Sequence, residues 1–201
     1  MEALDQKIAA IWAERDPNRK NLLVAELVSE LFRQSGADPV VVGGSAVEFY
    51  TDGAYVSGDV DICFSGARSP SPRERESILG RAGSSVSTRV WRIADVLVDL
   101  LGVVESAART PFQTMGGLKL IQIEDLIAER ILIATAPERN EERWQVAKLL
   151  LAVAVAGMVE CDRAELERVA SSPEYRVGPE LRRLLDEIER EEQTGASSNE
   201  N

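Results

Sequence analysis

Two aspartates separated by one residue, Asp59 and Asp61, begin a short apolar stretch and could together do chemistry. In a β-strand alternate side chains point to the same side, so the two carboxylates should project together while Val60 and Ile62 face a core. Two unit charges about 4 Å apart repel by roughly 4 kcal/mol at an effective dielectric constant of about 20. A cation between them removes this repulsion, and carboxylate oxygens suit Mg²⁺ or Mn²⁺. The spacing therefore predicts a divalent-metal site, with a solvated strand end or turn cap as the alternative.

A glycine pair, Gly43 and Gly44, lies between an apolar stretch over residues 39–42 and a predicted helix over residues 45–51. A turn of this kind presents free backbone N–H groups, and the positive end of the following helix attracts negative charge. With the hydroxyl of Ser45 it predicts a phosphate cradle, and the alternative is a plain turn. A phosphate cradle followed by a metal site indicates metal-assisted chemistry on a nucleotide.

The order of these motifs resembles the signature of the DNA polymerase β-like nucleotidyltransferase superfamily, in which an apolar residue and Gly-[Gly/Ser] precede Asp-x-[Asp/Glu]. The matching letters are Val42-Gly43-Gly44-Ser45 and Asp59-Val60-Asp61. The spacer of 14 residues between Gly44 and Asp59 is at or just beyond the long end of the expected range. The resemblance also implies a third carboxylate on a neighbouring strand. Asp99, in the apolar run over residues 96–101, matches it, and Asp95 is a weaker candidate.

A second resemblance lies in the helical region, at residues 123–130 and 143–150. These stretches look like the helical part of small prokaryotic nucleotidyltransferase-like proteins, some of which are toxins or abortive-infection factors. The whole similarity spans residues 38–151. Within it Arg130 is the candidate cation for the nucleotide, with a structural ion pair to Glu129 or Asp125 as the alternative.

The resemblance implies transfer of a nucleoside monophosphate from a nucleoside triphosphate, such as ATP, to an acceptor hydroxyl. Three carboxylates would bind Mg²⁺ (or Mn²⁺) and take part in the catalytic step: Asp59, Asp61 and Asp99. Four further residues would contact the nucleotide: Gly43, Gly44, Ser45 and Arg130. Asp99 would bind a second ion near the acceptor hydroxyl and could take its proton. The acceptor stays open among RNA, protein and a small molecule.

The same resemblance includes toxins, so a toxin role with an antitoxin protein as partner is one expectation. Two other classes of function stay open. One is a catalytically silent regulatory module that binds nucleotide or a partner protein. The other is a structural domain whose carboxylates only cap turns.

The composition narrows the chemistry further. The 201 residues include 23 basic and 34 acidic side chains, a net charge of −11, which weighs against broad nucleic-acid binding. Four arginines between residues 68 and 81 form either a solvated helix face or a local basic patch: Arg68, Arg73, Arg75 and Arg81. The sequence has no histidine, which excludes Ser-His-Asp and Cys-His catalysis and the usual zinc ligand. Carboxylates and metal must carry any catalysis.

Location and organisation follow from the patterning. The sequence has no run of about 20 apolar residues, no signal-peptide features at its acidic start, and only two isolated cysteines, so a cytoplasmic protein without a membrane span is expected. The periodicity predicts an α+β (mixed α/β) fold, with a small mixed sheet, helices on one face and a helical C-terminal part. A hairpin over residues 86–93 and 96–102 should carry Asp99, and residues 118–122 should form a short edge strand. The predicted divisions are residues 1–122, residues 123–192 and a disordered tail over residues 193–201.

Overall fold

The computed structural model describes residues 2–198 and divides the chain into two compact units. The first unit contains the residues up to Glu105 together with Phe112–Ile121. The second contains Ser106–Pro111 together with the residues from Gln122 onward. The short segment Ser106–Pro111 therefore belongs with the helices that follow it in the chain, although it lies between two parts of the first unit in sequence.

Over the residues that the structure describes, the first unit consists of four helices and a seven-stranded sheet. Its helices are α1 (Glu2–Ala13), α2 (Pro17–Gln34), α3 (Gly43–Tyr50) and α4 (Pro72–Leu79). Its strands are β1 (Pro39–Val41), β2 (Val60–Phe64), β3 (Ser84–Ser85), β4 (Val90–Ile93), β5 (Val96–Val103), β6 (Gln113–Met115) and β7 (Leu118–Leu120).

The sheet has the order β3-β4-β5-β2-β1-β7-β6 and mixes parallel with antiparallel pairs. Strand β2 lies in its centre, antiparallel to β1 and parallel to β5. The predicted edge strand at residues 118–122 is wrong in position, because β7 pairs with β1 on one side and with β6 on the other. Strand β6 forms the edge instead. Gly116 (φ +55°) and Gly117 (φ +85°) allow the tight turn between β6 and β7, in a segment that the sequence analysis left without a strand.

Helix α2 supplies much of the core of the first unit. It begins after Asp16, whose side chain accepts a hydrogen bond from the Arg19 N–H, with Pro17 in the first turn. Its inward residues are fully buried, and Phe32 meets Phe64 of β2 edge-on with 4.9 Å between ring centroids. This packing holds the central strand, and with it the stretch that carries Asp59 and Asp61.

The second unit contains the helices α5 (Ile123–Thr135), α6 (Glu141–Val155), α7 (Arg163–Ala170) and α8 (Gly178–Ser198). Two buried carboxylates of the first turn of α5 hold Ser106–Pro111: Asp125 accepts the N–H groups of Ala107 and Ala108, and Glu124 accepts the Thr110 hydroxyl. Acidic residues are favoured at a helix start, and these two also fix the returning segment.

Helix α8 continues beyond the expected start of the disordered tail and ends at Ser198. The five residues after Ile188 are Glu, Arg, Glu, Glu and Gln, which are good helix formers, so the helix continues there without an apolar face. Residues 199–201 of the predicted tail lie outside the described residues. Among residues 2–198, none of the helices is long and apolar enough to cross a membrane.

Candidate functional site

Strand register places two of the predicted carboxylates side by side. Asp61 of β2 and Asp99 of β5 are direct partners on parallel neighbouring strands. Residues paired in this way point to the same face of a sheet, and both are partly exposed. Asp59 lies in the loop one residue before β2, and its carboxylate accepts a hydrogen bond from the Ser57 hydroxyl over 3.5 Å.

The glycine turn lies directly against Asp61. The Gly44 N–H donates to Asp61 Oδ2 over 3.1 Å. Gly43 has φ +61°, and a Cβ at this position would lie 2.4 Å from Asp61 Oδ2. Only glycine permits both this backbone conformation and this approach. The predicted phosphate cradle and the Asp-x-Asp motif are therefore in contact, across the spacer of 14 residues.

Ser45 links the same two parts of the chain in a way that the sequence analysis did not expect. Its hydroxyl donates to the Asp59 carbonyl oxygen over 2.9 Å and accepts the Asp61 N–H over 2.8 Å. The side chain is fully buried. Its hydroxyl, which was assigned to phosphate binding, thus holds the backbone on both sides of Val60.

A buried carboxylate on α3 fixes the loop that leads to Asp59. Glu48 accepts hydrogen bonds from the Ser57 N–H and from Asn21 Nδ2, each over 3.0 Å. The same amide of Asn21 donates to the Ser57 carbonyl oxygen. Burial raises the pKa of Glu48, since the charged form loses hydration. A lone acidic residue in the apolar stretch over residues 46–50 was the signal for this network, and the sequence analysis passed over it.

Asp99 forms an ion pair with Arg89, the residue before β4. The Nε of Arg89 lies 2.6 Å from Asp99 Oδ1. The weaker candidate for the third carboxylate, Asp95, lies in the β4–β5 turn and pairs with Lys20 over 3.0 Å. Its side chain is 53% exposed. The structure therefore groups Asp99, rather than Asp95, with Asp61.

Two of the four arginines in the predicted patch, Arg68 and Arg75, are engaged within the protein. Arg75 is buried, and its guanidinium donates to four carbonyl oxygens, those of Pro70 (2.9 Å), Leu100 (2.9 Å), Leu101 (3.2 Å) and Thr88 (3.4 Å). Arg68 forms a double hydrogen bond with Glu74 on the surface, both at 2.8 Å. Arg75 thus ties α4 to the end of β5 and is not part of a solvated face.

Replacing Arg75 by Met should lower the free energy of unfolding by about 3 kcal/mol, because the carbonyl oxygens of β5 lose a charged donor inside the protein. Urea denaturation measures the change. The matched control is Arg73→Met on the same helix, where the side chain is exposed and the expected change is within about 0.5 kcal/mol. Equal losses in the two variants would contradict a structural role for Arg75.

Arg130 lies in the second unit, where it pairs with Glu129 over 3.0 Å. Its side chain is 13% exposed, and its Nε is buried without a hydrogen-bond partner among the described residues. The structure thus contains the ion pair that was the alternative to nucleotide binding.

The donor set fits a hard divalent cation. Carboxylates of neighbouring strands share one face, and their oxygens are the ligands that Mg²⁺ and Mn²⁺ prefer. As the side chains stand, however, no three acidic, cysteine or histidine residues between positions 2 and 198 are gathered closely enough to hold a metal. Asp61 Oδ2 accepts the Gly44 N–H, and Asp99 lies against Arg89.

A separate cavity of about 420 Å³ lies beside Phe64, at the other end of β2 from Asp59. It is lined by the loop between α2 and β1, which includes Asp38, by the end of β2 with the loop that follows, and by α4, which includes Glu74. The residues that line it include none of the predicted site, so its size does not bear on the chemistry at the carboxylates.

No protein-family model matches this chain, and no curated protein sequence matches it significantly. Solved structures do resemble it. The solution structure of the antibiotic-resistance factor ANT(2'')-Ia is 13% identical, covering 87% of this chain and 99% of that one, with a TM-score of 0.51. The crystal structure of ANT(2'')-Ia in complex with adenylyl-2''-tobramycin is 15% identical, covering 74% and 93%, with a TM-score of 0.50.

A third similar structure is that of an antigenic nucleotidyltransferase-like protein from Paracoccidioides brasiliensis. It is 13% identical and covers 83% of this chain and 91% of that one, with a TM-score of 0.51. At these identities the likeness shows the fold alone. The chain has a nucleotidyltransferase-like α+β fold, and the predicted fold class is confirmed.

Proposed function

We propose that this protein is a nucleotidyltransferase that transfers a nucleoside monophosphate from a nucleoside triphosphate to an acceptor hydroxyl, with Mg²⁺ or Mn²⁺. The observation that carries the proposal is the contact between the glycine turn and the carboxylate face. Gly44 donates its N–H to Asp61, and Asp61 is in register with Asp99. A phosphate bound at the turn would therefore lie beside the carboxylates.

The proposed roles follow from these positions. Asp59, Asp61 and Asp99 would hold the divalent cation, which supplies positive charge to the triphosphate oxygens during transfer. The N–H groups of Gly43 and Gly44 would bind phosphate oxygens, and Asp99 would accept the proton of the attacking hydroxyl. Ser45 acts through its neighbours, since its hydroxyl keeps the two aspartates in place.

The ligand-free arrangement suggests how metal and nucleotide depend on each other. The N–H of Gly44 now donates to Asp61 Oδ2. A phosphate oxygen that takes this N–H releases Asp61, and a released Asp61 can turn towards a cation. Nucleotide and metal binding should therefore support each other.

We propose a small molecule or a protein as the acceptor, in preference to a long RNA. The net charge of −11 disfavours a polyanion, and Arg68 and Arg75 of the predicted basic patch already have partners within the protein. Adenylyl-2''-tobramycin in the complex of a protein with this fold is a precedent for a small acceptor. A toxin role and an antitoxin partner follow only from the resemblance in sequence.

A catalytically silent nucleotide-binding module is the second candidate. The ion pair between Arg89 and Asp99 favours it, because the guanidinium competes with a metal ion for the carboxylate oxygens. Both candidates require nucleotide binding that depends on metal, and only the first requires transfer.

Removing the metal should weaken the binding of a non-hydrolysable nucleoside triphosphate by at least about tenfold, because the carboxylate face repels an unneutralised triphosphate. Calorimetry with Mg²⁺ and then with EDTA measures the difference. The control ligand is the corresponding nucleoside, which carries no phosphate, so its affinity should be the same with and without Mg²⁺. Equal affinity for the triphosphate with and without metal would rule out both candidates.

A further inference from the structure

Asp99 has one oxygen atom in an unusual environment. Its Oδ1 is buried and accepts no hydrogen bond from the residues that the structure describes. The Nε of Arg89 lies 2.6 Å from this same atom, close enough for an ion pair but without hydrogen-bond geometry. A buried carboxylate oxygen is costly unless a charge compensates it, so Arg89 stabilises Asp99 by charge rather than by a directed bond.

The backbone of Arg89 is fixed, whereas its side chain lies at the surface. The Leu100 N–H donates to the Arg89 carbonyl oxygen over 3.0 Å. The buried guanidinium of Arg75 lies 3.4 Å from the carbonyl oxygen of the preceding residue, Thr88, to which it donates. The Arg89 side chain itself is 57% exposed. It can therefore leave Asp99 without any change in the strands.

The charges of the proposed site require a further cation. Three carboxylates carry about −3 and a triphosphate about −4, while one divalent cation offsets only two of these charges. Arg130, the cation expected from the sequence, is paired with Glu129 and mostly buried. Arg89 lies against the carboxylate face, and a guanidinium matches phosphate oxygens with two parallel hydrogen bonds.

We propose that Arg89 is a phosphate-binding residue of this site that exchanges partners. It holds Asp99 in the ligand-free protein, and it turns to an oxygen of the triphosphate when a divalent cation binds Asp99. This inference rests on the proposed function, since it assigns a new residue to the same site.

The test uses Arg89→Gln, which removes the charge but keeps a polar side chain. Without a competing cation, Asp99 should bind Mn²⁺ about three- to fivefold more tightly in the absence of nucleotide. Without the phosphate contact, a non-hydrolysable nucleoside triphosphate in saturating Mg²⁺ should bind at least about tenfold more weakly. Electron paramagnetic resonance of free Mn²⁺ measures the first affinity and calorimetry the second.

The matched control is Arg92→Gln. Arg92 is an exposed arginine on β4 that pairs in register with Leu97, two residues from Asp99, so the variant makes the same change in charge close by. Neither affinity should change. Arg89→Lys keeps the charge but cannot make two parallel hydrogen bonds to a phosphate. This variant should retain the weak Mn²⁺ binding of the wild type and bind nucleotide with intermediate affinity.

Opposite changes in the two affinities are the signature of partner exchange, since damage to the fold lowers both. If Arg89→Gln changes both in the same direction, or behaves as Arg92→Gln does, the inference is overturned. If the wild-type protein nevertheless binds nucleotide with Mg²⁺, the proposed function stands. Wild-type protein that binds no nucleotide overturns the proposed function and this inference together.

Discussion

Replacing Asp59 by Asn should lower nucleotidyl transfer by about a thousandfold, which corresponds to about 4 kcal/mol of transition-state stabilisation. The change removes one negative charge from the proposed metal site and keeps the shape of the side chain. Ser45 bonds to the backbone of residue 59, not to its side chain, so the loop that leads into β2 should stay in place. The measurement is the labelling of acceptors by an α-labelled nucleoside triphosphate in a cell extract, together with pyrophosphate release.

The matched control for this prediction is Asp95→Asn. Asp95 was the weaker sequence candidate for a catalytic carboxylate, and it makes an exposed ion pair with Lys20 in the β4–β5 turn. Its loss should cost at most about 1 kcal/mol of stability and leave transfer unchanged. Equal activity of Asp59→Asn and wild type would exclude the catalytic role. Normal nucleotide binding without any transfer by the wild type would favour the silent module.

The strand that carries Asp99 was predictable from the sequence, because the hairpin pattern placed it directly after β4. That Asp59 and Asp61 project together stays a prediction from alternation along a strand. The pairing of β2 with β5 could not be predicted from such local patterns. It joins strands more than 30 residues apart and depends on how the whole sheet is ordered. Local patterns carry no information on such a register.

Side-chain partners were the least predictable part of the site. The Ser45 hydroxyl could serve a phosphate or the backbone, and only the packing of α3 against β2 decides between them. Arg75 belonged to a cluster of arginines in sequence, yet it is the buried member. Arg89 belongs to no sequence motif that would mark it as a site residue. Each of these roles depends on long-range contacts, which a periodic pattern does not encode.

The sheet edge and the chain end show the same limit. Strand β6 has only three residues, and its pairing with β7 depends on two consecutive glycines with positive φ. Helix α8 reaches Ser198 through residues that favour helix without an apolar stripe, so a search for amphipathic periodicity ends it too early.

Replacing Gly43 by Ala should lower transfer by about a hundredfold, because a displacement of about 1 Å at a reacting group is enough for a loss of that size. The new Cβ would lie 2.4 Å from Asp61 Oδ2, so Asp61 must move away from Gly44 and from its place beside Asp99. The residue also has φ +61°, which adds about 1 kcal/mol of backbone strain for alanine. Labelled transfer and urea denaturation measure the two effects separately.

Gly36→Ala separates the strain of the backbone from the clash at the site. Gly36 has φ +83°, and a Cβ there would meet nothing within 4 Å, so the variant should lose about 1 kcal/mol of stability and no activity. In the double variant Gly43→Ala/Asp61→Ala the two closest contacts, to Oδ2 and Cγ of residue 61, are gone, and only the contact of 3.2 Å to its Cβ remains. Its loss of stability should therefore be smaller than the sum of the two single losses. Additive losses, or full transfer by Gly43→Ala, would mean that the turn does not need to approach Asp61 as closely as the structure shows.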